Sequence, residues 1–369
     1  MELKSGFTTG SVATAAAKAA TWMLLSGKKK ENICIITPSK KEYVALVEEA
    51  HIELNRASCV IHKEASDDPD ITAGAAIEVT VEKCTDGIII TGGKGVGIVT
   101  RPGLDQKVGE YAINSTPRRM IEKEVSEVMD TFDYKGGLKV IVSVRDGEEI
   151  AKKTFNPHMG IEGGISIIGT TGIVEPMSTK AILDTIKLDI SMQYSEGKKV
   201  CVICPGNYGV TFLNNKYGIK SEDIVTCSNY AGDSVKYAID QGFKKILFVS
   251  HIGKLIKVSG GIMNTHSQYG DHRMEIMAAS YKEACLKSSC EVDEKIIKSI
   301  LEQVSTTAAL DILNEIDFVK ETSDVIVSNA GMHLNKIAIS GNVECILYEN
   351  NYGELSRTGD AYMYLQDII

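Results

Sequence analysis

The chain has 369 residues, is 43% hydrophobic and 24% charged, and carries a net charge of −9 at neutral pH. That length predicts two or three domains with real cores. The acidic balance argues against a nucleic-acid surface. No apolar run reaches the roughly 20 residues of a membrane span, and MELKSGFTTG lacks the pattern of a secretory signal.

Helix formers dominate from Val12 to Leu25, with Gly27 as a stop and Thr8, Thr9 and Ser11 as candidate N-caps. Residues 31–62 are rich in Val and Ile and predict strands in NICIITP, EYVALVEEAHIEL and SCVIHKEA. AIEVTVEK and GIIITGGKGVGIVT continue the strands, and a helix follows over 117–130. KGGLKVIVSVRDGEEIAKKTF reads as a hairpin turning at Asp146-Gly147. Several strands in a row with few helices predict an α+β domain.

Near Lys180 the pattern changes. AILDTIKLDISMQYSEG is helical, and strand-like KKVCVICPG, DIVTCSN and KKILFVSHIG then alternate with helical YGVTFLNNKYG and AGDSVKYAIDQG. This β-α-β-α-β alternation predicts a parallel sheet with crossover helices. GDHRMEIMAASYKEACL and the run from Glu291 to Glu315 read as further helices, DVIVSNAG and VECILYEN as late strands. The domains are drawn at 1–190 and 191–369. The nine cysteines, an odd number, fit reduced thiols in a cytoplasm. Cys201 and Cys204 form a C-x-x-C on a strand, where residues three apart face opposite ways, so they read as core and not as a metal or redox pair.

Ligands of open parallel sheets bind at the carboxyl ends of the strands. Three such ends carry Pro205-Gly206-Asn207-Tyr208-Gly209, Ser228-Asn229 and Ser250-His251-Ile252-Gly253-Lys254. The full G-x-G-x-x-G is absent, so the first end fits either a nucleoside loop or a plain tight turn. GGKGVG at 92–97 is followed by no helix and is not a phosphate loop. It fits a structural hairpin, or a bend that lets backbone approach a flat ligand, with Lys94 and Arg101 beside it for carboxylates or as solvated charge. Asp67, Asp68 and Asp70 lack the calcium-loop spacing and read as a turn, with substrate contact as the lesser alternative. In Asn264–Arg273, His266 with Asp271 fits a polarised base, and Asp271 equally fits a helix cap. His266 and His272 lack a third metal ligand. Thr8-Thr9-Gly10 and Thr170-Thr171-Gly172 are two uncharged turns, each leading into a helix.

Taken together, GFTTGSVATAAAKAA, DDPDITAGAAIEV, GGKGVGIVTRPGL, NPHMGIEGGISIIGTTGIVEPMS, PGNYG and HIGKLIKVSGGIMNTHSQYGDHR resemble the CbiD family, collinearly over most of the chain and more thinly after about residue 290. The resemblance implies an α+β domain followed by a Rossmann-like domain. It implies transfer of a methyl group from S-adenosylmethionine to C-1 of a cobalt-containing tetrapyrrole. On that basis Pro205, Gly206, Asn207, Gly209, Ser228, Asn229 and Gly253 are assigned to the methyl donor. Thr8, Thr9, Gly10, Gly93, Lys94, Gly95, Arg101, Thr170, Thr171, Gly172 and Lys254 are assigned to the ring, with Arg118 and Arg119 as further cations for its acid arms. His266 and Asp271 are the catalytic candidates, and the cobalt arrives with the substrate, so no protein metal is expected. A nicotinamide-dependent tetrapyrrole reductase and a non-catalytic corrinoid carrier are the rival readings. A homodimer is one open oligomeric state.

Overall fold

The computed structural model describes residues 5–65, 70–174 and 179–368. The chain divides into two compact units, Met1–Thr179 and Lys180–Ile369. The division falls at the start of the helix over 179–195, where the sequence reading placed it at 190. Asp67, Asp68 and Pro176 lie outside the described residues.

The first unit opens with strand β1 (Gly6–Phe7) and helix α1 (Thr9–Ser26). The Thr8 hydroxyl accepts the Ser11 N–H at 3.2 Å, and left-handed Gly27 closes the helix on the Met23 carbonyl. Six alanines of α1 are fully buried (Ala13, Ala15, Ala16, Ala17, Ala19 and Ala20). Their small side chains let α1 lie close against its neighbours. A hairpin of β2 (Asn32–Ile36) and β3 (Glu42–Leu46) follows. The next elements are β4 (Glu48–Ile52), β5 (Arg56–His62), β6 (Ala76–Cys84), β7 (Ile88–Gly92), β8 (Gly95–Val96), β9 (Ile98–Val99) and α2 (Ser115–Thr131). Then come β10 (Gly137–Val144), α3 (Gly147–Ala151), β11 (Ile161–Glu162), β12 (Gly164–Ile165) and β13 (Ile173–Val174). The main sheet runs β4-β5-β6-β10-β7, antiparallel except for β10 with β7. Helices α1 and α2 pack together, and α1 lies on β5 and β6.

The hairpin expected at Asp146-Gly147 does not form. Strand β10 inserts between β6 and β7, and the chain then enters α3. Asp146 takes a left-handed φ of 53°, and Glu148 and Glu149 sit in the first helical turn, where the helix dipole favours acids.

The second unit contains α4 (Thr179–Ser195), β14 (Val200–Cys204), α5 (Asn207–Tyr217), β15 (Ile224–Thr226), α6 (Ala231–Gln241), β16 (Lys245–His251) and α7 (Ile252–Ser259). After these come α8 (Arg273–Lys287), α9 (Glu294–Leu301), α10 (Thr306–Glu315), α11 (Val319–Ile337), β17 (Asn342–Glu349), β18 (Gly353–Arg357) and α12 (Ala361–Gln366). The sheet order is β15-β14-β16-β17-β18, with four parallel strands and an antiparallel β18 at one edge. Its inner strands are buried on both faces, which is why they read as unbroken apolar runs. Cys201 packs into one core and Cys204 into the core on the opposite face. Burial pushes the Cys204 thiol up to about 11, which suits an inert core residue.

DVIVSNAG is part of α11 and not a strand. Thr322, Ser323, Ile326, Val327, Ala330 and Leu334 are buried along it at helical spacing, and α11 packs on α7, α8 and β17. Tertiary packing here overrides the β-preference of Val-Ile-Val.

Candidate functional site

In the second unit the carboxyl ends of β14, β16 and β17 open onto a cavity of about 650 Å³. Pro205 and Gly206 supply the wall after β14, and Gly253 and Lys254 the wall after β16. Gly206 is the N-cap of α5 with φ 148°, a conformation L side chains rarely adopt, and the space where a Cβ would stand is open. Gly209 is different. A Cβ there would lie 2.8 Å from the Cys204 Cβ, so this glycine lets α5 approach β14. Asn207, Ser228 and Asn229 do not line the cavity. Asn229 accepts a hydrogen bond from the Thr265 hydroxyl at 3.2 Å and is thereby tied to the 264–273 segment.

Lys254 reaches across two strand ends. Its Nζ donates to the Pro205 and Ser228 carbonyls, both at 3.1 Å. Burial lowers its pKa below the ordinary lysine value. Lys254 was assigned to the ring from the sequence, and the structure sets it among the residues assigned to the donor. Lys257, one turn on, is buried and donates to the Thr265 and Gly270 carbonyls at 3.3 and 2.9 Å. It fastens the 265–270 segment to α7.

His251 caps α7. Its Nδ1 accepts the Gly253 N–H at 3.1 Å, and its ring stands edge-on to Tyr348. Nε2 lies 3.9 Å from the Glu349 carboxylate. Burial lowers the imidazole pKa against the pull of Glu349, so at neutral pH the ring is uncharged and its proton sits on Nε2. The Glu349 carboxylate, 3% exposed, accepts from the Thr307 hydroxyl and from the Asn351 and Tyr352 N–H groups. His251, Thr306, Tyr348 and Asn350 line the cavity; the sequence reading names His251 only as part of the third strand end, with no role, and does not single out the other three. A signal was present: VECILYEN was read as a strand, and its polar end obeys the rule that selected the other strand ends.

His266 and Asp271 are not brought together. Both are exposed, and among the described residues no hydrogen bond joins them. His266 Nδ1 accepts the Gln268 N–H at 3.2 Å. The Asp271 carboxylate is held by the Arg273 guanidinium, which lowers its pKa. Nor does Asp271 cap a helix: the N-cap of α8 is left-handed His272, with no side-chain cap bond. The Asp271 carboxylate is engaged by its near neighbour Arg273 and not by His266.

In the first unit the two Thr-Thr-Gly turns bind each other. Thr8 and Gly10 donate their N–H groups to the Gly172 and Ile168 carbonyls at 3.2 and 2.9 Å. The Thr9 hydroxyl accepts the Ile168 N–H at 2.9 Å and donates to the Ser166 carbonyl at 3.2 Å. The Ser11 hydroxyl donates to the Gly172 carbonyl at 2.7 Å. Thr8, Thr9, Gly10 and Gly172 are buried, so the donors expected to meet a ring are spent inside the fold. Thr170 and Thr171 remain exposed.

The glycine-rich bend is likewise filled from within. Gly93 donates to the Val142 carbonyl at 2.7 Å. Gly95, at φ 78°, lies against the Val144 carbonyl and Gly147, with no room for a Cβ. Arg101 donates to the His158 carbonyl at 2.8 Å. Arg118 donates to the Ile113 and Ile90 carbonyls, both at 2.9 Å, and Arg119 to the Thr116 hydroxyl at 3.0 Å. Lys94 is exposed and its ammonium has no partner among the described residues.

Among the described residues no group of three His, Cys, Asp or Glu side chains is arranged to hold a metal, and no helix is long and apolar enough to cross a membrane.

Residues 1–176 match the family model described as CbiD, and residues 264–359 the model of the CbiD C-terminal domain. A relative in Ruminiclostridium cellulolyticum, named cobalt-precorrin-5B C(1)-methyltransferase, is 41% identical over 96% of this chain and 91% of its own. One of the same name in Alkaliphilus metalliredigens is 39% identical over 99% of this chain and 95% of its own. A crystal structure of the cobalamin biosynthesis protein (cbiD) of Archaeoglobus fulgidus, 28% identical, covers 73% of this chain and 84% of that one at a TM-score of 0.40. With family models matching most of its length and relatives of this identity spanning nearly all of it, the chain belongs to the CbiD family.

Proposed function

We propose that this protein methylates C-1 of cobalt-precorrin-5B to give cobalt-precorrin-6A in cobalamin biosynthesis, with S-adenosylmethionine as methyl donor. The observation that carries this reading is near-full-length identity of 39–41% with relatives named for the methylation. The second unit supports it. Strand β14 is flanked by β15 on one side and β16 on the other, so that with β14 as the first strand the order is 2-1-3-4-5, a doubly wound order whose reversal lies between β14 and β16. The 650 Å³ cavity stands at the carboxyl ends of those two strands.

S-adenosylmethionine supplies an already activated methyl group on a sulfonium. The S–CH₃ bond breaks with its electron pair left on sulfur, and a C–CH₃ bond forms from a ring carbon made nucleophilic by conjugated nitrogens. Little acid–base work is required of the protein, which accords with the absence of a His266–Asp271 dyad. Its task is placement, worth up to roughly 7–11 kcal/mol when geometry is ideal. The residues fit a nucleoside thioether. Gly206 leaves backbone uncovered, Tyr348 offers an apolar wall, and neutral His251 adds no charge beside a sulfonium. For the acid arms of the ring, exposed Lys94, Thr170 and Thr171 are the candidates kept in the first unit. The nine free cysteines fit a reducing cytoplasm.

Incubation with cobalt-precorrin-5B and S-adenosylmethionine, followed by mass spectrometry, should show one added methyl group on the ring. Ring binding with no gain of mass would favour a carrier. Heat on titration with NADPH, and none with S-adenosylhomocysteine, would favour a reductase.

A further inference from the structure

An ammonium group has three donors. At Lys254 two are spent, on the carbonyls of Pro205 and Ser228. The third has no acceptor among the described residues, and Lys254 forms part of the cavity wall. The two anchored carbonyls fix the head group in place before any ligand arrives, so little side-chain freedom is left to lose on binding.

The surroundings of this third donor favour an anion. Helices α5, α7 and α10 all begin on the cavity, with caps or first residues Gly206, His251 and Thr306, and helix N-termini carry partial positive charge. The acids nearby are already satisfied. Asp271 is paired with Arg273, and Glu349 is turned onto Thr307 and two backbone N–H groups. One charged donor in a half-buried, positive setting matches a carboxylate.

We propose that Lys254 receives the α-carboxylate of the methyl donor's amino-acid tail, so that the donor is held by that tail where β14 and β16 diverge. This assignment rests on the crevice being the donor site. An acid arm of the ring is the other source of a carboxylate.

Calorimetric titration of the full chain separates the cases. S-adenosylhomocysteine carries the tail, and 5′-methylthioadenosine has the same nucleoside and thioether without it. Lys254→Met is expected to weaken S-adenosylhomocysteine on the order of 10- to 100-fold, leaving methylthioadenosine within about twofold, while Lys254→Arg recovers most of the loss. If Lys254→Met does not fold, Lys254→Gln, which keeps two uncharged N–H donors, is read the same way. Equal weakening of both ligands would overturn the proposal and leave Lys254 as a brace for the two loops. Unchanged S-adenosylhomocysteine affinity would overturn it too, and weakened ring binding in that variant would then assign the carboxylate to the ring. Failure of the unaltered protein to bind either nucleoside would remove the donor-site reading itself.

Discussion

Glycine serves opposite ends at two places, the glycine-rich bend of the first unit and the cavity wall of the second. In the first, Gly95, Gly147 and Gly164 stack backbone on backbone, and a Cβ on Gly10 would stand 2.8 Å from the Ile168 carbonyl. Those glycines are full: the fold itself occupies the space a side chain would take. In the second unit, Gly206 faces nothing within 4 Å and Gly253 looks onto His251 and Thr306 across a cavity wall. The place of a side chain at Gly206 is empty, and emptiness is what a ligand can use. A Gly-rich motif in a sequence is therefore ambiguous until what lies opposite the missing Cβ is known.

The contrast can be broken by substitution, and the largest effect is expected at Gly95. Gly95→Ala puts a methyl into the Val144 carbonyl at a positive φ, and should cost more than about 3 kcal/mol in chemical denaturation or abolish folding. A stable variant would show that the bend is not packed as described. Thr9→Val removes a hydroxyl that accepts from Ile168 and donates to Ser166. A loss of about 1–3 kcal/mol of stability is expected, with S-adenosylhomocysteine affinity unchanged.

Gly253→Ala should act the other way round. Its Cβ would lie 3.3 Å from His251 Nδ1, at a helix start where alanine is tolerated. Stability should move by less than about 0.5 kcal/mol, while nucleoside affinity falls roughly tenfold, about 1.4 kcal/mol. Gly206 is a poorer probe, because φ 148° strains any side chain there whatever the space. The smallest effect is a pH dependence. The folded pKa of His251 is depressed, so the unfolded chain binds more protons at mildly acid pH. The stability tied to this group is complete above about pH 6.5 and declines as pH falls below it towards the lower folded value. His251→Asn keeps a cap acceptor without the titration, and should flatten that part of the melting-temperature profile by an amount worth less than about 1 kcal/mol.

The second unit was the more legible in the sequence. Parallel strands buried on both faces read as continuous apolar runs, and glycines such as Gly197 and Gly242 punctuate the helices. The ends of β14 and β16 followed from that alternation, whereas Glu349 and Asn350 at the end of β17 needed the strand order. In the first unit α1 and its caps were legible because their signals are local. The fate of Thr8, Thr9 and Gly10 was not, since their partners lie near residue 170. Asp271 is the opposite case: its partner Arg273 is only two residues away, yet the pattern of polar residues pointed to His266 instead.

The mutual grip of the Thr-Thr-Gly turns bears on synthesis of the chain. Helix α1 is translated before its partners: Thr9 and Ser11 find their acceptors on Ser166 and Gly172, 157 and 161 residues later. Strand β1 likewise waits for β13, with Gly6 opposite Val174. Helix α1 therefore stays unlatched until almost the whole unit has been translated.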